Sequence, residues 1–382
     1  NSAVYVSTVA HPRERRRLVS TSQNAQFANE GDGKTYLIWH SGQDLIAQQI
    51  DARTLMLTGE PRPLLEKVPV RNGPLLPVFT SGTGLLLFDR SSDASQLNWV
   101  DETGARLSTV EGAGEYSDFR VGPDGRRVAA ARFSFNRSDI WILDPQRGLA
   151  DRFTFSGFNR FPVWSPDGTA IVYGSQGGGL MRKQTGGAEE TVLLRTGQPR
   201  DWSRDGRFLL YQSAGAGTKA DLWFASITPD GGAGKPAPYL NSEFNEDNGR
   251  FLPGPNPRWV AYQSDQTGRN EVYIASFPRP DKRIPVSTSG GSHPRWRGDG
   301  RELFYVSGQT LMAVSVRAGR DSIEAATPKA LFKLPAPSAS VTSSYDVGEE
   351  GRTFLVREPL ESPQPLQLIE NWPALLGTRQ TR

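Results

Sequence analysis

Three histidines, His11, His40 and His293, are the first candidates for metal or acid–base chemistry. None stands in a His-x-x-x-His or His-Glu-x-x-His spacing, which would bring two imidazoles to one zinc ion. The stretch around Ser175, YGSQGG, lacks the first glycine of a nucleophile elbow, so Ser175 reads as a strand-end residue. The acidic stretch NSEFNEDNGR, 241–250, comes nearest to a calcium loop. It lacks the alternating Asp/Asn ligands and the closing glutamate, and reads as a solvated loop. Three glycines at 177–179 have no Lys-Ser/Thr after them and read as a hairpin. The kinase catalytic loop, the Asp-Phe-Gly metal motif and the glycine-rich phosphate loop do not occur. Cysteine is absent, which excludes thiolate nucleophiles, disulfides and Cys-ligated metals, and fits an oxidising compartment. No catalytic residue, metal or cofactor is expected.

The chemistry left to this chain is recognition, and that depends on which elements bring side chains together. The sequence has 382 residues, with 40 glycines and 28 prolines, well above the average share of about 12 %. Many turns and short strands follow. Turn-forming pairs fall at Asp32-Gly33, Thr83-Gly84, Asp124-Gly125, Asp167-Gly168, Asp205-Gly206, Pro255-Asn256, Asp299-Gly300 and Glu350-Gly351, a mean period of about 45 residues. That period suits four-stranded propeller blades. Apolar runs with β-branched and aromatic residues follow the turns, among them AIVYGS, RFLLYQS, RWVAYQS and ELFYVS. In SPDG the Asp-Gly pair supplies the positive-φ residue of a tight hairpin, and Pro166 pre-sets its start. A helical period is visible only in NWPALLGT near the end.

The expected fold is therefore all-β: a single β-propeller over 1–382, built of four-stranded antiparallel blades. Eight blades is the direct count; seven or six would follow if a unit is irregular, and Gly73–Glu111 and Asn159–Arg195 are the weakest. Strands within 1–21 and 343–372 would make a shared closing blade, with LQLIENW as a competing strand. Trp141, Trp223 and Tyr273 recur in the third strands and read as packing between blades.

In such a ring the first strand of each blade lines a central channel. The residues where the chain joins those strands are Tyr116, Asp118, Arg160, Arg200, Asp201, Asn248, Arg250, His293, Arg295 and Tyr345. Converging from different blades, they would make a cation-rich funnel for an acidic or carbohydrate-like ligand, or for a partner's loop. Alternatively, the arginines pair with neighbouring acids and simply order the channel. Net charge is only +3, and the cluster Arg13, Arg15, Arg16 and Arg17 reads as a solvated loop, so no nucleic-acid partner is expected. No run reaches the ~18 apolar residues of a membrane span, so no insertion by this chain is expected. The chain opens at NSAVYVST without a signal peptide and reads as an excised or mature fragment.

The stretches SPDGTAIVYGS, SRDGRFLLYQS and DIWILD resemble the TolB-like, WD-like (PD40-type) propeller repeats of bacterial envelope proteins. LIAQQIDARTLMLTGEPRPL, SDIWILDPQRGLADRFTFSGFNRFPVWSPDG, GRNEVYIASFPRP, HPRWRGDGRELFYV and LIENWPALL together look like the C-terminal sensor region of serine/threonine protein kinases of soil bacteria such as acidobacteria. That resemblance implies an extracytoplasmic, periplasmic location, with a kinase domain and a membrane helix upstream. It also implies an unknown extracytoplasmic protein or a small polar or acidic ligand as partner. A stand-alone TolB-like periplasmic scaffold, or the non-catalytic propeller of a serine peptidase, are the alternatives.

Overall fold

The computed structural model describes residues 3–377 apart from 8, 10, 22–23, 30–32, 43, 67, 69–77, 89–93, 135–136, 156, 215–218, 320, 337–342, 349–350 and 361–365. Nearly every element is a strand, and the chain divides into two compact units. Residues 94–133 and 137–360 make the larger; residues 1–93, 134–136 and 361–382 make the smaller.

The larger unit is a ring of four-stranded antiparallel blades. The second blade shows the pattern: Arg160–Trp164, Ala170–Gly174, Leu180–Gln184 and Glu190–Leu194 pair in chain order. Its first turn bears out the hairpin reading. Gly168 has φ 69°, its N–H reaches the Ser165 carbonyl at 2.9 Å, and the Asp167 carboxylate accepts from the Thr169 N–H at 3.0 Å. Inner strands Gln198–Trp202, Glu246–Phe251 and Ser292–Trp296 open the third, fourth and fifth blades. GLMRKQ, weak as a sequence signal, supplies the third strand, Leu180–Gln184, in unbroken register with the second.

The remaining two blades share one long strand, Arg106–Val121. Its second half pairs with Val128–Ser134 as the inner strand of the first blade. Its first half pairs with Ser95–Asp101, which pairs in turn with Thr353–Pro359 and so with Tyr345–Val347. This sixth blade is composite: two strands from residues 345–359 and two from residues 95–110.

Apolar residues of adjacent blades pack into a core at every junction. Ala129 and Ile140 meet Trp164 and Tyr173; Val172 and Leu180 meet Trp202 and Tyr211; Leu210 and Leu222 meet Phe251 and Tyr262. Trp259 and Ile274 meet Trp296 and Tyr305; Phe304 and Leu311 meet Tyr345 and Phe354; Leu97 and Leu355 meet Phe119 and Leu143. The last junction returns to the first blade, so among the described residues six blades close the circle. A four-stranded sheet has two apolar faces and needs a neighbour on each, which ring closure provides without leaving a free end. Tyr273, Trp141 and Trp223 lie in or against these cores, as their recurrence implied.

Six blades stand where the direct count gives eight, and the closure differs from that expected. The turns at Gly33 and Thr83-Gly84 belong to the smaller unit, and residues 32 and 350 of the counted turns lie outside the described residues. Ala3–Val6 and Arg16–Ser20 pair with each other and not with the 345–359 strands. The weak unit Gly73–Glu111 is divided: its hairpin, Val78–Thr80 with Leu86–Phe88, takes Gln367–Ile369 as a third strand, while 95–110 complete the sixth blade.

The smaller unit also contains the four-stranded sheet Gln26–Asn29, Thr35–Ser41, Asp44–Ile50 and Leu57–Leu65. Its core gathers Ile38, Leu45, Leu64, Val68 and Phe88 around Trp372, which is fully buried and meets Tyr36 edge-on at 5.4 Å. Trp372 starts the short 3-10 helix Trp372–Leu376, where NWPALLGT signalled a helical turn. His40 is buried here, and burial pushes its imidazole below the ordinary range, with Asp44 opposing.

Candidate functional site

The channel of the larger unit is built by a repeated irregularity. In each of the first five inner strands the pairing register slips, between Tyr116 and Asp118, Arg160 and Val163, Pro199 and Asp201, Asp247 and Arg250, and Ser292 and Arg295. Such bulges re-aim side chains at the rims of closed sheets. Three of them hold a non-glycine residue in the left-handed region: Phe161 at φ 57°, Asn248 at φ 53° and His293 at φ 55°. Each costs about 1–3 kcal/mol, and such strain concentrates at functional sites.

Around these bulges lies a cavity of about 390 Å³, lined by Asp118, Phe161, Gln198, Arg200, Gln212 and Asp247 together with Arg120, Asn248, Gln263 and His293. Arg200 organises it. Its Nε donates to Asp247 at 2.5 Å, its Nη2 to Gln198 at 3.0 Å and also to Gln212. Arg160 and Arg200 each stack on Phe161, at 5.0 and 4.8 Å from the ring centre. The Gln263 side-chain oxygen, Oε1, accepts from Asn248 Nδ2 at 3.2 Å and from the His293 N–H at 3.0 Å, joining the fourth and fifth blades. Burial would raise the Asp247 carboxyl, but the Arg200 guanidinium outweighs it and holds that carboxyl below the usual range.

Beyond the bulges the six strands return to a common register. Arg120, Val163, Asp201, Arg250, Arg295 and Asp346 each pair one step before the strand's last rung, opposite Ala129, Val172, Leu210, Ala261, Phe304 and Leu355. They line a second cavity, about 230 Å³, at the end of the channel where the Asp-Gly turns lie. The two acids play the same part: Asp201 accepts from the Phe251 N–H at 2.7 Å, and Asp346 from the Val121 N–H at 2.8 Å, each on the following blade. Asp346 also accepts from Arg295 Nε at 3.1 Å. Arg120, Arg250 and Arg295 each turn one Nη1 back to the carbonyl of the preceding residue. Burial, then the Arg295 guanidinium, pushes Arg120 down to about 10; burial likewise lowers Arg250 and raises Asp201. Arginine keeps its proton in proteins, so these shifts express crowding of like charge away from water.

The expected funnel is thus two sites at opposite ends of one channel. Asp118, Arg200, Asn248 and His293 line the bulge-side cavity, with Arg160 stacked beside it; Asp201, Arg250 and Arg295 line the turn-side one, which Arg200 also reaches. Tyr116 and Tyr345 are not mouth residues. Tyr116 is buried in the core between the sixth and first blades, its hydroxyl donating to the Gly112 carbonyl at 2.5 Å. Tyr345 is buried between the fifth and sixth, donating to the His293 carbonyl at 2.8 Å. Arg120, Phe161, Asp247, Asp346 and the three glutamines are not among the sequence candidates. Aligning the repeats on their turns would have found two of them: Arg120 precedes Val121-Gly122, and Asp346 precedes Val347-Gly348, as Asp201 precedes Trp202-Ser203. Among the described residues no group of three or more His, Asp or Glu is placed to hold a metal ion.

The ring has counterparts among solved structures. A protein assigned as TolB from Agrobacterium tumefaciens superposes with a TM-score of 0.55 at 14 % identity, over 70 % of this chain and 99 % of that one. The chain has a TolB-like propeller fold. TolB from Acinetobacter baumannii gives a TM-score of 0.48 at 13 % identity, over 86 % of this chain and 80 % of that one. An oligogalacturonate lyase in complex with manganese gives 0.46 at 14 %, over 78 % and 81 %. No family model and no curated protein matches the sequence. No helix among the described residues is long and apolar enough to cross a membrane.

Proposed function

We propose that this chain is a non-catalytic recognition domain whose propeller docks a polar ligand or partner segment at the bulge-side mouth. The observation that carries this reading is the convergence of Phe161, Asn248 and His293, from three blades, in the left-handed region, which a bulky residue such as phenylalanine avoids and asparagine and histidine only tolerate. Glycine would occupy all three positions without strain, so what is kept there is the side chains, around a cavity rich in amide and charged groups.

The setting that the quoted motifs support is the extracytoplasmic sensor of a transmembrane serine/threonine kinase. The ligand would act by binding one arrangement of the kinase more tightly than another, since equal affinity for both shifts nothing. The likeness to TolB structures favours a second reading, a periplasmic scaffold that holds another envelope protein. Both readings make the same demand on the mouth. Asn248→Gly and His293→Gly together should keep or raise thermal stability while the partner captured by the wild-type chain from envelope extract is lost. Unchanged capture of that partner by the folded double variant would overturn the docking site.

A further inference from the structure

At the turn end of the channel the charges do not balance. Arg120, Arg250 and Arg295 stand at one level with only two acids, Asp201 and Asp346, the sixth place is taken by Val163, and Arg200 and Arg204 also line the cavity. Both acids are already engaged, with the N–H groups of Phe251 and Val121 and with Arg295. Arg250 is 5 % exposed; its Nη1 serves the Arg200 and Gly249 carbonyls, and its Nη2 is buried without a hydrogen-bond partner. A surplus guanidinium held away from water is costly unless an anion meets it. The neighbouring wall is apolar: Val163, Trp164, Trp202, Phe251 and Trp296 line the same cavity, and the Trp164 and Trp296 indoles are fixed by N–H bonds of 3.1 Å to the Arg120 and Arg250 carbonyls.

We propose that this turn-side cavity binds one small organic carboxylate, its carboxylate oxygens between Arg250 and Arg120 and its apolar body against the tryptophan wall. The arginines around the cavity outnumber its two acids, which favours an anion. Two carboxylate oxygens match the guanidinium fork. A cavity of about 230 Å³ admits a small acid and not a folded segment. Val163 is where a sixth charged residue at this level, an acid, would have offset the arginines internally. This site lies at the other end of the channel from the docking mouth and is tested through different residues, so either can fail alone.

The probe is benzoate, titrated calorimetrically into the purified full chain, with benzamide and sulfate as parallel arms. Benzoate should bind saturably, and benzamide and sulfate at least about ten-fold more weakly. Val163→Asp, which sets a carboxylate at the vacant place, should weaken benzoate at least about ten-fold in a variant whose circular dichroism matches wild type. Benzamide binding as tightly as benzoate would refute the charge requirement, and sulfate binding as tightly would leave only non-selective anion attraction. No benzoate binding at all would overturn the proposal. These arms use the unaltered protein, so they decide it even where the variant fails to fold.

Discussion

Asp346→Ala should open the ring at its seam. Asp346 belongs to the composite sixth blade and holds both neighbours: its Oδ1 accepts from Arg295 Nε at 3.1 Å on the fifth, and its Oδ2 from the Val121 N–H at 2.8 Å on the first. Arg295 is 4 % exposed, so truncation leaves a guanidinium away from water without its carboxylate. Removing one partner of a buried pair costs about 3–5 kcal/mol. For a domain above about 150 residues each kcal/mol moves Tm by roughly 2–4 °C, so the expected fall is roughly 6–20 °C. Differential scanning calorimetry on wild type and variant reads it, with urea midpoints as a second measure. The control is Asp281→Ala, which breaks the exposed Arg279–Asp281 pair at 3.7 Å and should cost no more than the about 0–1 kcal/mol of a surface bridge, a fall in Tm of at most roughly 4 °C. If Asp346→Ala falls no further than that control, the seam is not held by this carboxylate and the reasoning fails.

Gly197→Ala should destabilise by about 2 kcal/mol or more: φ is +110°, and an added Cβ would lie 2.5 Å from Tyr211 and 2.9 Å from the Gln212 carbonyl, which urea unfolding will register. Trp372→Ala should cost about 3–5 kcal/mol through the cavity it leaves in the smaller unit, read as a lower onset of unfolding by near-ultraviolet circular dichroism. Asp247 has a depressed folded value, so its stabilising contribution is present above the unfolded value near ~3.9 and is lost as pH falls through the folded one. Asp247→Asn should accordingly flatten the acid limb of the Tm–pH curve below about pH 4 and leave a pH-independent loss above it; an acid limb identical to wild type would contradict the pairing with Arg200.

The blade rhythm was legible because each hairpin needs a left-handed residue between two apolar runs, and that need is written locally, as at Gly168 and Gly206. Closure was not, because it is a pairing across more than 240 positions, as between Leu355 and Trp99, and nothing in QLNWVDE says that its partner is FLVRE and not its own hairpin. The same limit hid the smaller unit: LQLIENW reads as a strand, but its choice of Leu86–Phe88 is made by packing around Trp372. The arginines of the site were legible as types at recurrent places. Their division between two cavities was not, because a one-residue bulge reverses which way a side chain points. Arg200 and Asp201 are adjacent in sequence, yet Arg200 grips Asp247 at one mouth while Asp201 serves Phe251 towards the other.

The larger unit begins and finishes at one spot, for the Leu360 N–H meets the Ala94 carbonyl at 3.0 Å and Ser95 lies across from Pro359. A polypeptide whose two ends touch behaves as a cassette: it can be spliced into a surface turn of a host with little distortion of either. In sequence, residues 94–133 and 137–360 fall between stretches of the smaller unit. Recombination could therefore trade the wheel for another, or give it to a different carrier, by cutting at two neighbouring points, and a rearranged gene whose product starts at any of the other Asp-Gly corners should yield the same wheel.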